Sequence, residues 1–582
     1  MKQLYAARPP RGWLPIHHLL LALLALAPTI IQAQTTPTRV EAETGVLTGV
    51  TVATTPPGYS GTGVVTGFDN AADNVVLTFT VPAGLYKVSL GYNAPYGDKG
   101  FELTVNGVTA TGMLAGNNSS YGRADAGLFL LPAGSNTIVV KNGWGYYNVD
   151  YLEMTPTTVA PPAAVPGTLA DPKAMPVAKA LLTYLRGQYG SKVLAGQHAD
   201  PKDTLADIRY IVRKTGKEPA LGSFDLIEYS PSRRQFGSNP TGHSEQYLAW
   251  AAQDQYRGIV SLMWHWNAPT DLINSATNPW WRGFYTDAST FNIATVMADT
   301  TSLRYGLLVR DIDSIATQLK KFQRANVPVL WRPLHEAPGA FFWWGAHGSA
   351  PYKALWRMLY RRLTIHHQLH NLIWVYSTTQ SPPAEWYPGD AYVDIAGPDI
   401  YADASANMSG DWNGYQAQVG GRKLVALTET GNLPDPTNVR AYATWWSWFS
   451  VWSGPFIRQQ PLALVQRVYA DADVITRDEL PNWRATALGT QAAGGPADAL
   501  AVYPNPVRSP VLTATFTLPT AQVAHVELRN ALGQCVFSLE AGLRAGANSL
   551  ALPAGPLAPG VYVLTVRTAG QPALTQRVVV AE

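Results

Sequence analysis

Eight short, apolar, β-rich runs follow one another through the middle of the chain: Val193–His198, Ala220–Leu226, Ile259–Trp266, Val327–Glu336, Leu372–Ser377, Asp394–Tyr401, Leu424–Thr430 and Thr444–Phe449. Longer segments with helical spacing separate them, such as Asp311–Arg324, where Ile312, Ile315, Ala316, Leu319 and Phe322 share a face, and Lys353–His370. Strands alternating with helices imply parallel pairing, and eight such units in about 320 residues close into a (β/α)₈ barrel. A barrel of this kind builds its active site where the strands run out into loops at their C-terminal ends. Those ends are His198, Asp225, His265 with Trp266, His335 with Glu336, Ser377, Tyr401, Glu429 and Trp448.

Two of these are carboxylates on the fourth and seventh runs, which face each other across the mouth. Two carboxyl groups about 5–5.5 Å apart suit double displacement at an acetal carbon, one as nucleophile and one as acid and base. His335 is harder to place. Strict strand alternation would turn it away from the face Glu336 uses, so its position depends on the strand ending before it.

The rest of the chain divides at two Pro/Ala/Thr/Gly-rich stretches, read as linkers over 155–170 and 489–499. The barrel domain therefore runs over 171–488, between modules at 34–154 and 500–582. Residues 1–33 carry Lys2, Arg8 and Arg11, then the apolar run Leu19–Ala27, then Ile31-Gln32-Ala33. That is the order of a signal peptide, and nine apolar residues are too few to span a bilayer. With 43 Lys and Arg against 40 Asp and Glu, the net charge of +3 points to no nucleic-acid partner. The one cysteine, Cys535, rules out an internal disulfide framework and a cysteine-based metal centre, and is expected to pack as a small buried hydrophobe. His366-His367 lacks ligand partners at metal spacing and reads as surface or packing histidine.

Alternating segments such as Val75–Val81 and Phe101–Val105 make the first module an antiparallel β-sandwich. Glu41, Glu43 and Asp150 lie in its terminal strands, either as solvated strand-end acids or as hard oxygen ligands for Ca²⁺. Trp144, between two glycines, is either core filling or a flat apolar platform for a sugar ring. The last module reads as a small β-sandwich without a catalytic constellation.

Three resemblances sharpen these readings. Trp331–Gly345 (WRPLHEAPGAFFWWG), with Trp264-His-Trp266, Gly397–Tyr401 (GPDIY) and Thr428–Gly431 (TETG), is similar to the pattern of glycoside hydrolase family 26, whose usual activity is endo-β-1,4-mannanase. The resemblance implies Glu336 as general acid/base, Glu429 as nucleophile, and no catalytic cofactor. It places His265 and His335 around the reacting sugar and Tyr401 on the nucleophile. Trp343 and Trp344 are expected to stack on flanking sugars and Trp448 to floor a neighbouring subsite, a place in the core being the alternative for each, with Arg332 and Asp399 as ion-pairing or other supporting groups. Mannan, galactomannan or glucomannan is the implied substrate; xylan or mixed-linkage β-glucan, or binding without catalysis, are the alternatives. The family usually has Asn-Gly after the acid, where this chain has Ala337-Pro338. The first module resembles carbohydrate-binding module family 35 through Glu41-Ala-Glu43, Tyr59–Val64 and Gly143–Tyr151. That resemblance implies a structural Ca²⁺ on Glu41, Glu43 and Asp150, with Trp144 and Asn148 facing sugar. Through Val502–Pro506 (VYPNP), Asn530–Gly533 (NALG) and Gly560–Val566 (GVYVLTV), the last module resembles the sorting domain of the type IX secretion system, which implies export with cleavage or surface attachment. The whole is expected to act as a monomer.

Overall fold

The structure is a computed structural model that describes residues 36–484 and 500–581, apart from 201–202, 241, 381–382, 404–405, 509, 519, 531–532 and 569–572. The segments read from the sequence as a signal peptide (1–33) and as a linker (489–499) lie outside the described residues.

The central strands are β1 (Val193–His198), β2 (Leu221–Asp225), β3 (Ile259–Met263), β4 (Val329–Arg332), β5 (Leu372–Thr378), β6 (Ile395–Ile400), β7 (Leu424–Val425 and Leu427–Thr430) and β8 (Trp448–Val451). Each pairs in parallel with the next, and β1 pairs with both β2 and β8, which closes the barrel. Nearly every strand residue is buried, as expected of strands covered on both faces. Helix α1 (Pro176–Gln188) starts on a proline whose fixed φ suits a first helical turn. Its Val177, Leu181, Leu182 and Leu185 share one core with Leu194, Leu221, Ile259, Leu330, Ile373, Ile395 and Leu424. Much of that contact is to early strand positions, so α1 fills the end of the barrel opposite the C-terminal ends of the strands.

Helix α2 (Leu303–Arg324) is longer than Asp311–Arg324 because the Ser302 hydroxyl accepts the Tyr305 N–H and caps it one turn and more upstream. Helix α3 (Ser349–Tyr360) continues as a π-helical turn over Arg361–His366. His367 Nε2 lies 2.6 Å from Asp313 Oδ1, beside the Arg362 guanidinium, so it is a packing histidine.

The eighth strand corrects the sequence reading. It begins at Trp448 instead of ending near it, with Trp448 opposite Leu194 and 1% exposed in the core shared with α1. Trp448 therefore lies at the closed end and floors no subsite. The register is displaced because Trp445-Trp446-Ser-Trp448 is apolar enough to read as strand although its first residues precede the sheet.

The N-terminal unit is a two-sheet sandwich. One sheet runs Thr51–Ala53, Val64–Thr66, Asn148–Pro156, Gly84–Asn93, Gly122–Leu131, with Thr38–Glu41 also on Asn148–Pro156; the other runs Val46–Thr48, Asn74–Val81, Gly134–Trp144, Lys99–Val105, Val108–Leu114. Alternate residues such as Leu77, Val88, Leu90, Leu103, Ile138, Val140 and Leu152 form its core. The C-terminal strands form a three-stranded and a four-stranded sheet around Leu512, Phe516, Val526, Leu564 and Val578. Cys535 opens the strand Cys535–Leu543 and is exposed, not buried, because that strand lies at the edge of its sheet.

Candidate active site

Strand β4 stops at Arg332, and the chain then takes left-handed turns at Leu334 (φ 52°) and Glu336 (φ 53°). Strand alternation has lapsed there, which is how His335 and Glu336 can both contribute to the mouth. The Glu336 N–H donates to Ser377 O on β5 at 3.1 Å. After Glu336 the loop folds back so tightly that a Cβ on Gly345 would come within 1.9 Å of Ala337 O, so only glycine fits.

Glu336 is pushed up to about 9, first by burial and then by the charges of Asp399 and Glu429, against the pull of Arg332. Its carboxyl therefore holds a proton at neutral pH. Glu429 accepts from Arg332 Nη2 at 2.6 Å and from the Tyr401 hydroxyl at 2.5 Å, with His198 Nε2 at 3.9 Å. Arg332 is 1% exposed, and its other terminal nitrogen donates to Asp399 at 2.8 Å and Ser377 at 3.0 Å. Asp399 is the cross-strand partner of Glu429 and also accepts from Thr428 at 2.8 Å. Burial pushes Asp399 up to about 7 although Arg332 pulls it down. Burial and then the Arg332 charge hold His198 and His335 well below the usual histidine value, so both rings are neutral. His265 lies 2.6 Å from Asp225 through Nδ1 and 3.1 Å from His335 through Nε2. The exposed ring of Tyr401 also walls a cavity of about 460 Å³ with Phe456, Asn432, Gln459 and Gln460.

The mouth thus gathers Glu336, Glu429, His265, His335 and Tyr401. It does not use Trp343 and Trp344 as open platforms. Both are at most 1% exposed, with their indole N–H groups spent on Trp266 O (2.5 Å) and His335 O (2.9 Å). The fold-back at Gly345 turns their rings inward, against Trp266 and Phe342, and leaves Phe341 as the exposed aromatic of that loop. Sequence reasoning missed Trp452, just past β8, whose ring is 4.8 Å from that of His198 and 6.1 Å from that of His265. Correct registration of β8 would have found it.

In the N-terminal module Glu41, Glu43 and Asp150 surround Ser60–Thr62. Ser60 donates to Glu41 (2.6 Å) and Asp150 (2.8 Å, backbone), and Thr62 N–H to Glu43 (2.7 Å). Burial raises Asp150, and the charges of Glu41 and Glu43 add to that. Among the described residues no set of three side chains converges as metal ligands do. The donor set is nonetheless one of hard oxygens, Glu43 Oε2 is buried without a partner, and a Cβ on Gly61 would reach within 2.2 Å of Glu43 Oε1. Trp144 and Tyr146 are exposed, with Lys99 5.5 Å from the indole. Asn148, expected to face sugar, is buried and donates its amide to Asn93 Oδ1 at 3.0 Å, because it lies in a strand and not in the loop.

Comparison with known proteins agrees with this geometry. Residues 170–479 match the model of glycosyl hydrolase family 26, 38–157 that of carbohydrate binding module family 35, and 501–581 that of the secretion system C-terminal sorting domain. A mannan endo-1,4-beta-mannosidase of Thermothelomyces thermophilus is 42% identical over 78% of this chain and 92% of its own length. Mannan endo-1,4-beta-mannosidase B of Piromyces sp is 34% identical over 78% and 79%. The crystal structure of the Podospora anserina GH26-CBM35 beta-(1,4)-mannanase superposes with a TM-score of 0.63 at 42% identity, over 78% of this chain and all of that one. The barrel, the paired carboxylates and the match over its full extent make this chain a member of glycosyl hydrolase family 26.

Proposed function

We propose that the protein is a secreted endo-β-1,4-mannanase acting on mannan, galactomannan or glucomannan with retention of configuration. The observation that carries the reading is the contrast between two neighbouring carboxyl groups. Glu336 is held protonated by burial and negative neighbours, while Glu429 accepts hydrogen bonds from Arg332 and Tyr401. Such a pair divides the labour of glycoside hydrolysis. Glu429 attacks the anomeric carbon as Glu336 gives its proton to the leaving oxygen. Glu336, now ionised, then takes a proton from the water that releases the sugar from Glu429. Neither step draws on a cofactor. His265 and His335 line the reacting sugar's place, and the preference for mannan rests on the relatives named above.

The N-terminal module holds polysaccharide on Trp144 and Tyr146, whose exposed faces suit contact with pyranose C–H groups. Glu41, Glu43 and Asp150 hold a Ca²⁺ that neutralises their mutual repulsion and stabilises the sandwich. The C-terminal domain hands the chain to the type IX secretion machinery, for release or attachment at the cell surface. The test is reducing-end release measured side by side on mannan, galactomannan, glucomannan, xylan and lichenan. The reading expects mannans to lead and Glu336→Ala and Glu429→Ala each to lose most of the rate; equal or faster release from xylan or lichenan would overturn the substrate.

A further inference from the structure

Asp225, the last residue of β2, takes no part in the chemistry above, yet both its carboxylate oxygens are committed. Oδ2 lies 2.6 Å from His265 Nδ1, and Oδ1 accepts the backbone N–H groups of His265 (3.1 Å) and Ile227 (2.9 Å). The Asp225 main chain is fixed as well, since Tyr247 donates to its carbonyl at 3.1 Å. The tautomer that points its Nδ1 proton at the Asp225 carboxylate leaves His265 Nε2 bare. His335 Nε2, 3.1 Å away, then supplies the proton between the rings, which cross at 85°. Asp225 thus sets the tautomer of both histidines, as a buried carboxylate orients an imidazole elsewhere.

The second ring belongs to the residue immediately before Glu336. The backbone there is left-handed at both Leu334 and Glu336, a conformation that persists only where its surroundings over-determine it. Three tethers do so: the His265 to His335 contact, the Trp344 indole on His335 O at 2.9 Å, and the Glu336 N–H on Ser377 O at 3.1 Å. The first of these leads back to Asp225. We propose that Asp225 is a positioning residue for the Glu336 carboxyl, acting through His265 and His335 on the turn that carries it. This rests on the reading of Glu336 as the acid.

Leaving-group dependence tests it. Protonation of the leaving oxygen matters for a sugar leaving group and little for dinitrophenolate, so kcat/KM is measured on mannohexaose and on a dinitrophenyl β-mannobioside. The ratio of the two is independent of the fraction of folded enzyme. For Glu336→Gln, kcat/KM on mannohexaose is expected to fall about a hundredfold or more relative to the aryl substrate. Asp225→Asn, isosteric but with the wrong hydrogen-bonding partner for His265, is expected to lower the ratio about tenfold, and to add less than about twofold in the Glu336→Gln background, as coupled sites do. Equal losses on both substrates for Asp225→Asn, or effects that multiply in the double variant, would overturn the proposal while Glu336→Gln still shows the dependence. Absence of that dependence in Glu336→Gln would overturn the acid assignment and this inference with it.

Discussion

Arg332 is the buried cation between Glu429 and Asp399, and Arg332→Met removes it while filling most of its volume. One guanidinium nitrogen donates to Glu429 at 2.6 Å and the other to Asp399 at 2.8 Å. Breaking a buried ion pair from one side typically costs about 3–5 kcal/mol, because the partners stay buried without a counter-charge. Arg332 now pulls down both Asp399, at about 7, and Glu336, at about 9. Without it both move up, so the folded variant binds protons that the unfolded chain does not. Stability then falls as pH rises, and the melting deficit against the wild type is expected to be larger at pH 8 than at pH 5.5. For catalysis, a hydrogen bond to a charged group is worth about 1.5–3 kcal/mol, so losing the Arg332 donor to Glu429 lowers kcat roughly tenfold to over a hundredfold. Arg332→Lys recovers part of this, since one ammonium does not reproduce the two-sided fork. Melting curves at the two pH values, with kcat on mannohexaose, make the measurement. A variant with a kcat within threefold of wild type and a pH-independent melting deficit would refute the ion-pair account.

Four further outcomes are expected. Because Glu336 must be protonated to act and burial with its negative neighbours pushes it up to about 9, kcat/KM falls as pH rises through that region, and Asp399→Asn, which removes a negative neighbour, moves the fall to lower pH; a pH–rate profile checks both. Chelator lowers the melting temperature of the N-terminal module by removing a ligand that binds only the folded sandwich, and added Ca²⁺ restores it. Trp144→Ala loses retention in a galactomannan affinity gel without changing that melting temperature. Trp343→Ala, which empties a fully buried indole site, destabilises the protein by about 3–5 kcal/mol in denaturant unfolding, whereas Phe341→Ala, at an exposed ring, changes stability by less than about 1 kcal/mol.

The barrel was legible because its strands are short apolar runs set between helices, and periodicity finds such runs wherever they begin. Val193–His198 emerges with the bounds read from the sequence, and Glu429 lies at the end of β7 as expected. Periodicity does not find where a run of large apolar residues enters the sheet. Around Trp445–Trp452 every residue but Trp452 is buried, so composition alone favoured Trp448 for the mouth, and the pairing of Trp448 with Leu194 is a tertiary fact. Trp343 and Trp344 failed for a related reason: a glycine-bounded loop looks exposed, yet Gly345 is there to let the chain pack against Ala337 and bury both rings. Arg332 and Asp399 read from the sequence as ion-pairing or supporting groups without named partners; that Arg332 holds both Asp399 and Glu429 depends on strands far apart in sequence. The same is true of Asp225 and His265, 40 residues apart and brought together by the pairing of β2 with β3.

The central claim is that Glu429 forms a covalent bond to the sugar while Glu336 handles the proton. A 2-deoxy-2-fluoro mannosyl fluoride slows release of such an intermediate enough to trap it, and peptide mass spectrometry then locates the label. The account predicts stoichiometric labelling on the peptide containing Glu429, with Glu429→Ala unlabelled. Labelling at Glu336 or elsewhere, or hydrolysis of β-mannan with inversion and no trapped adduct, would contradict it.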